Sequence, residues 1–271
     1  MDLKWPGELL ALLQRYPWRT LSTLLVVAVV WIVAQFGGSF LQEKARQAAS
    51  ATQVAEQGSK VEISEGTVLA THYSTGDLFA VDPDSGSISL VTTRLGEPSD
   101  LALRSNREMV VLDSKQGVVI GVDPNDGRHT FTYTGPLLWN RRPRALALES
   151  DSSAIIGVQD TVLRLNLETG NQQVISKGHL LAGVSGIAVD LSGDIFATDL
   201  GGKLIEIDPK TGAQRLLAEG FNHPRAPVVE SSEAVLIGTA GRNASVIRVD
   251  RSNGSQTVVA TGPFQTIAGM A

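Results

Sequence analysis

An all-β propeller of about five to six four-stranded blades, preceded by a single transmembrane helix, is the architecture this sequence predicts. Three observations carry that expectation. A turn of the type Val81-Asp82-Pro83-Asp84-Ser85-Gly86 returns at 122–127, 165–170, 207–212 and 249–254. Its closing glycines Gly86, Gly127, Gly170, Gly212 and Gly254 are 41, 43, 42 and 42 residues apart, a period that fits four short strands and their turns. Around the turns apolar and polar residues alternate with period two, as in Lys203-Leu204-Ile205-Glu206-Ile207, which marks strands rather than a helical solenoid of similar period. Ahead of the repeats an uncharged apolar run at 21–36 extends with Gly37 to Phe40 to 20 residues, about 30 Å as a helix and enough to cross a bilayer.

The turn has a chemical logic. Asp or Asn at its second place caps the turn through a side-chain oxygen, Pro at the third fixes φ, and the final Gly accepts the positive φ that returns the chain to a strand. With the fourth repeat as template, the strands of one blade fall at 187–190, 194–199, 203–208 and 214–218. The same register places the other inner strands at 61–64, 101–104, 145–148 and 227–230. After the fifth copy, Ile267 to Met270 reads as the approach to another inner strand. Five closed blades sharing one blade between the chain ends, and a six-bladed or incomplete ring, both remain open at this stage.

The first sixty residues read differently. Residues 1–20 form a cytoplasmic amphipathic segment, with Leu9, Leu10, Leu12 and Leu13 beside Tyr16. Residues 21–40 form the membrane span, and 41–60, rich in Ala, Gln, Glu and Lys, form an extracytoplasmic helical linker. Arg15 and Arg19 precede the span and Trp18 stands at its entry as an interface residue. The positive charge there puts the amino terminus in the cytoplasm and the propeller, 61–271, in the periplasm of a bacterial inner membrane. A cleaved signal peptide is the competing reading of the same run.

The chain contains no cysteine and carries a net charge of −5, which excludes disulfides and thiolate metal sites and argues against nucleic acid as a partner. His72, His129, His179 and His223 show no metal spacing, and no HExxH occurs. The candidate site is the pair of loops preceding inner strands, Trp139-Asn140-Arg141-Arg142-Pro143-Arg144 and Phe221-Asn222-His223-Pro224-Arg225. Trp139, Asn140, Arg141, Arg142, Arg144, Phe221, His223 and Arg225 combine aromatic area with directional donors, suited to a protein contact or an anionic ligand. The plainer alternative pairs these arginines with local carboxylates such as Glu149 and Glu230.

The copies Ser185-Gly186-Ile187-Ala188-Val189-Asp190-Leu191-Ser192-Gly193-Asp194-Ile195-Phe196-Ala197-Thr198-Asp199 and Leu204-Ile205-Glu206-Ile207-Asp208-Pro209-Lys210-Thr211-Gly212 resemble a six-bladed propeller group. That group includes gluconolactonases, senescence-marker-like hydrolases, strictosidine synthase-like proteins and NHL-type proteins. The resemblance covers 61–271 and implies a central calcium held by a Glu of the first blade and by Asn and Asp residues of later inner strands. Glu65-Gly66 resembles the group's Glu-Gly opening. Arg144-Ala145, Ser185-Gly186 and Arg225-Ala226 stand where the group has Asn-Gly, and two of these bring positive charge where calcium needs oxygen ligands. The metal motif is therefore not retained, and no catalytic residue or cofactor is assigned.

The expectation for function is a membrane-anchored periplasmic propeller serving as an interaction or assembly subunit of an integral membrane protein complex, in contact with the bilayer through 21–40. The alternative is a calcium-dependent lactonase or esterase-like hydrolase using Glu65, or a small-anion sensor, at the central channel.

Overall fold

A computed structural model describes residues 63, 66–241 and 243–262, all within the compact unit Lys60–Ala271. They form nineteen strands in five antiparallel sheets. The first blade has β1 (Val68–His72), β2 (Asp77–Val81) and β3 (Ile88–Thr92). The second has β4 (Pro98–Leu103), β5 (Met109–Asp113), β6 (Val118–Val122) and β7 (His129–Tyr133). The third comprises β8 (Ala145–Ser150), β9 (Ser153–Val158), β10 (Thr161–Asn166) and β11 (Gln172–Lys177). The fourth comprises β12 (Val184–Val189), β13 (Ile195–Asp199), β14 (Lys203–Ile207) and β15 (Gln214–Glu219). The fifth comprises β16 (Arg225–Val229), β17 (Ala234–Gly238), β18 (Ser245–Asp250) and β19 (Gln256–Thr261). Each sheet is a meander in chain order.

The core is divided among the junctions between blades. Leu78, Val91, Met109 and Val111 pack between blades one and two, and Val110, Leu112, Leu146 and Ile156 between two and three. Ile155, Val162, Ile195 and Ile205 fill the third junction, and Phe196, Leu204, Val235 and Ile237 the fourth. A middle strand such as β5 is therefore buried at every residue. Its alternating side chains face two different neighbours, so both faces are apolar, as for any strand covered on both sides. A cation locks the fourth junction. Arg251, in the turn after β18, donates to Asp190 and Glu206 at 3.0 Å and lies 4.6 Å over the Phe196 ring.

The repeated turns behave as their chemistry dictates. Asp82 Oδ1 accepts the Asp84 amide at 2.9 Å while Gly86 N donates to the Asp82 carbonyl at 2.8 Å. Asp123, Asn166, Asp208 and Asp250 repeat the arrangement. These donors favour the ionised carboxyl. Asp82 is held below the usual carboxylate range first by the Ser85 hydroxyl, and Asp208 first by the Thr211 amide. The closing glycines also approach the preceding blade. A Cβ on Gly212 (φ +71°) would lie 2.2 Å from the Ile175 carbonyl oxygen.

Several expectations are corrected. The inner strands β4, β12 and β16 begin at Pro98, Val184 and Arg225, earlier than the alternation implied, because register shifts at Ser99, Ser185 and Ala226 interrupt it; a bulge reverses the in/out sequence of side chains. The first blade is three-stranded among the described residues, and Ile63, expected in its inner strand, lies in no strand. The proposed strand at Ile267 to Met270 lies outside the described residues.

The expected transmembrane helix is also corrected. Among the described residues there is no helix, and none long and apolar enough to cross a membrane. The fold of the described residues is thus an all-β five-bladed propeller. An apolar run records avoidance of water but does not by itself specify a span. The run at 21–40, its interface residues Arg15, Trp18 and Arg19, and the linker 41–60 lie outside the described residues. With no spanning helix among the described residues, the inner-membrane placement, the bilayer contact and the membrane-complex partner have no structural basis.

The turns yield a stability prediction. Gly212→Ala introduces both left-handed strain and a clash with a backbone carbonyl, whereas a Cβ on Gly86 (φ +69°) would meet nothing within 4 Å among the described residues. Gly212→Ala is expected to cost about 2–4 kcal/mol and Gly86→Ala about 1 kcal/mol, measured by urea denaturation; equal losses would contradict the docking of the Gly212 turn.

Candidate functional site

The candidate loops both enter inner strands at their amino-terminal ends and so emerge on one face of the propeller, with β12 standing between β8 and β16. The first is the longer. Leu138 and Trp139 donate their amides to the Gly135 carbonyl at 3.0 and 2.8 Å, and Leu137 N donates to Gln172 Oε1 at 3.3 Å. Leu138 is fully buried and fastens the loop, which leaves the next side chain, Trp139, 63% exposed. Asn140 and Arg142 take positive φ, 56° and 51°, an uncommon conformation that turns the chain back toward β8. Pro143 is buried, and its carbonyl accepts Ser99 Oγ at 3.4 Å from the preceding inner strand. Arg142 and Arg144 are exposed and Arg141 is half-buried.

The second loop divides between packing and exposure. Phe221 is buried against Leu204 and Val235, and its amide donates to Gly202 O at 3.1 Å. It is a core side chain and presents no aromatic surface. His223 is exposed at φ 46°. The Pro224 carbonyl accepts Ser185 Oγ at 2.6 Å, and Arg225 opens β16 half-buried, its Nε buried without a hydrogen-bond partner among the described residues. The two loops are thus stitched to their neighbouring inner strands by matching serines, Ser99 and Ser185.

The carboxylates anticipated as partners for the loop arginines are engaged elsewhere. Glu149 accepts Arg164 Nε at 2.7 Å and Glu230 accepts Arg248 Nε at 2.6 Å. Arg104, Arg128, Arg215 and Arg251 likewise hold carboxylates. Among the described residues, Arg141, Arg142, Arg144 and Arg225 have none within 4.0 Å. Glu97, on the adjoining loop, lies near enough to Arg142 to feel its charge. Its carboxyl is held low mainly by the Tyr73 hydroxyl, 2.8 Å away, then by Lys115 and Arg142.

One site residue escaped sequence reasoning. Asp100 occupies the inner-strand place filled by Ala145, Gly186 and Pro227 in the other complete blades. Its carboxylate accepts Leu146 N at 2.7 Å and Leu101 N at 2.9 Å. Leu146 belongs to β8, whose one sheet partner is β9, so Asp100 bridges the free edge of the next inner strand in the channel wall. Burial dominates its titration and raises the pKa from 3.8 to about 6, against the two amides that favour the anion. An acidic side chain at a position otherwise small or cyclic was the available signal.

No group of three or more His, Asp or Glu side chains among the described residues is placed to hold a metal. Glu65, the residue on which the calcium alternative rests, lies outside them. His72 Nδ1 is engaged with Thr75 at 3.0 Å, and His129 and His179 are exposed. A rim groove of about 750 Å3 opens beside Ile175, Lys177, His179 and Gln214, where the turn of blade four meets blade three.

The sequence pattern of the family described as outer membrane protein assembly factor BamB matches residues 28–257. The chain belongs to this family. No curated protein matches it by sequence. Among solved structures, the nidogen/laminin complex aligns with a TM-score of 0.64 at 18% identity, over 74% of this chain and 78% of that one. Virginiamycin B lyase from Staphylococcus aureus aligns with a TM-score of 0.57 at 14% identity, over 74% and 70%. A streptogramin B lyase aligns with a TM-score of 0.59 at 14% identity, over 73% and 66%. At these identities the likeness is one of fold. It relates this family member broadly to propeller proteins, and the narrower gluconolactonase and senescence-marker group is not singled out.

Asp100 gives a pH prediction. Because the folded state holds its proton more tightly than the unfolded chain, its contribution to stability is complete below about pH 4 and is lost as pH rises through about 6. Asp100→Asn retains an acceptor for Leu146 N and removes the buried charge. The variant is expected to be more stable than the parent at pH 8 by about 1–2 kcal/mol, with a flatter stability profile between about pH 4 and 6. An unchanged profile in chemical denaturation would contradict the assignment.

Proposed function

We propose that the propeller is a non-catalytic protein-binding module whose contact face is the loop face around Trp139, Arg142, Arg144 and Arg225. The observation that carries this reading is the clustering of unpaired arginines. Six on the strands and opposite turns are paired with carboxylates, while Arg94, Arg107 and the four on these two loops have no such partner among the described residues, and the two loops bring four of those six together. An arginine left without an internal partner keeps its donors for an external one, and an exposed Trp beside it supplies apolar area, the combination found at interface hot spots. The family's description as an assembly factor supports a role in protein contact. The chemistry specifies an acidic partner surface.

A second reading, a small anion held at the channel mouth, is favoured by the unpartnered buried Nε of Arg225. The two differ in their need for Trp139, which serves a protein surface and is superfluous to a small anion.

A fluorescent Glu/Tyr copolymer peptide is a suitable probe of the full chain. Binding should weaken with salt, fall at least about tenfold in the combined Arg142→Ala, Arg144→Ala and Arg225→Ala variant, and fall several-fold in Trp139→Ala. Thermal stability should change by less than about 1 kcal/mol in Trp139→Ala, because the side chain is exposed. Undiminished binding by the triple variant would refute the proposal, and loss in the triple variant with full retention in Trp139→Ala would favour the small-anion reading.

A further inference from the structure

Successive blades meet through one repeated contact. Val91, Tyr133, Ile175, Leu217 and Val259 stand at equivalent places in the five outer strands, 42 residues apart at each step. At three junctions the closing glycine of the next blade's turn sits on the carbonyl of this residue. A Cβ on Gly127, Gly212 or Gly254 would lie 1.9, 2.2 or 2.1 Å from the oxygen of Val91, Ile175 or Leu217. At the remaining junction Gly170 rests on the Tyr133 ring. The carbonyl is presented by a bulge. The register skips Val91, Ile175 and Leu217, whereas in β7 the skip falls at Thr130 and the ring takes over. A bulged residue leaves the ladder, which turns its backbone toward the neighbouring blade.

The fifth outer strand has the same device. The register of β19 skips Val259, yet Val259 is 49% exposed and Val258 60%, while Val91 and Leu217 are each 8% exposed. On the other flank a Cβ on Gly86 would meet nothing within 4 Å among the described residues. Among the described residues the Val259 socket and the Gly86 turn that matches it are thus both left open. The flank beside that turn is also more apolar than its counterparts. Gln172, Gln214 and Gln256 bond the preceding blade's loop region at the position that Ile88 occupies, 68% exposed, in blade one.

We infer that the Val259 socket of one chain receives the Gly86 turn of a second copy, so that the protein associates head to tail through its first and fifth blades. The other four turns are spent on junctions within each chain, so Gly86 is the plug a second copy has to offer. Ile88, Val258 and Val259 supply the apolar burial that drives the contact. Such a heterologous contact closes into a ring or continues as a filament according to its rotation. The surface is distinct from the arginine loops and stands or falls separately from them.

The test uses the full chain, whose lack of cysteine makes trapping clean. Sedimentation should show concentration-dependent association, weakened at least about tenfold by Val259→Asp, a change at a half-exposed site that should leave the circular dichroism spectrum unchanged. Mixing a Ser87→Cys chain with an Ala260→Cys chain under mild oxidation should give a 87–260 disulfide between chains, identified by peptide mass mapping. A monomer at all concentrations, association indifferent to Val259→Asp, or an intramolecular 87–260 disulfide in the doubly substituted chain would each overturn the inference.

Discussion

The contact on which this propeller depends is a glycine Cα resting on a carbonyl of the preceding blade. It demands two things of one residue at once. The turn must re-enter a strand through positive φ, and the backbone must approach another backbone more closely than any Cβ allows. Glycine alone meets both. The Asx hydrogen bonds that precede it serve the same end, since Asp82, Asp123, Asn166, Asp208 and Asp250 hold each turn in shape before it docks. Local chemistry and inter-blade packing are therefore one device, and the apolar slabs between blades are positioned by it.

That device explains what could be read from the chain. The glycine spacing disclosed the blades because the requirement for glycine is local and recurs at each of them. The starts of the inner strands were hidden, because the bulges at Ser99, Ser185 and Ala226 shift the side-chain alternation without leaving a characteristic residue type. Phe221 looked like a surface anchor beside His223, whereas its place in the loop matches Leu138 and Leu181, which are buried plugs. An aromatic residue next to a basic one does not reveal which of them faces inward. Pairing was equally illegible. Glu149 and Glu230 are close in sequence to Arg144 and Arg225, but strand neighbours Arg164 and Arg248 claim them across the sheet.

The division of charge follows from the same topology. In a four-stranded meander the turns after the first and third strands fall at one end, and the turn after the second strand and the loop to the next blade fall at the other. The Asx turns need an Asp or Asn cap, and four of the five use Asp, so the first end collects Asp82, Asp123, Asp208 and Asp250, joined there by Asp151 and Asp190. The second end has acidic caps as well, Asp113 and Asp199, which accept Lys115 N and Gly201 N, and it adds the loop arginines. A net charge of −5 conceals this asymmetry, which would steer an acidic partner toward the loop face and away from the turn face.

Asp100 sits between these two ends and shows how the channel differs from both. At either end of the propeller hydroxyl and backbone amide donors keep carboxylates ionised, and every shifted acid there is shifted downward. In the channel wall the same group is raised to about 6, although two amides point at it. At Asp100 desolvation outweighs the two hydrogen bonds that favour the anion. Through the Leu101 and Leu146 amides Asp100 ties β4 to β8, the inner strands of the second and third blades, beneath the loop that carries Trp139 and Arg144.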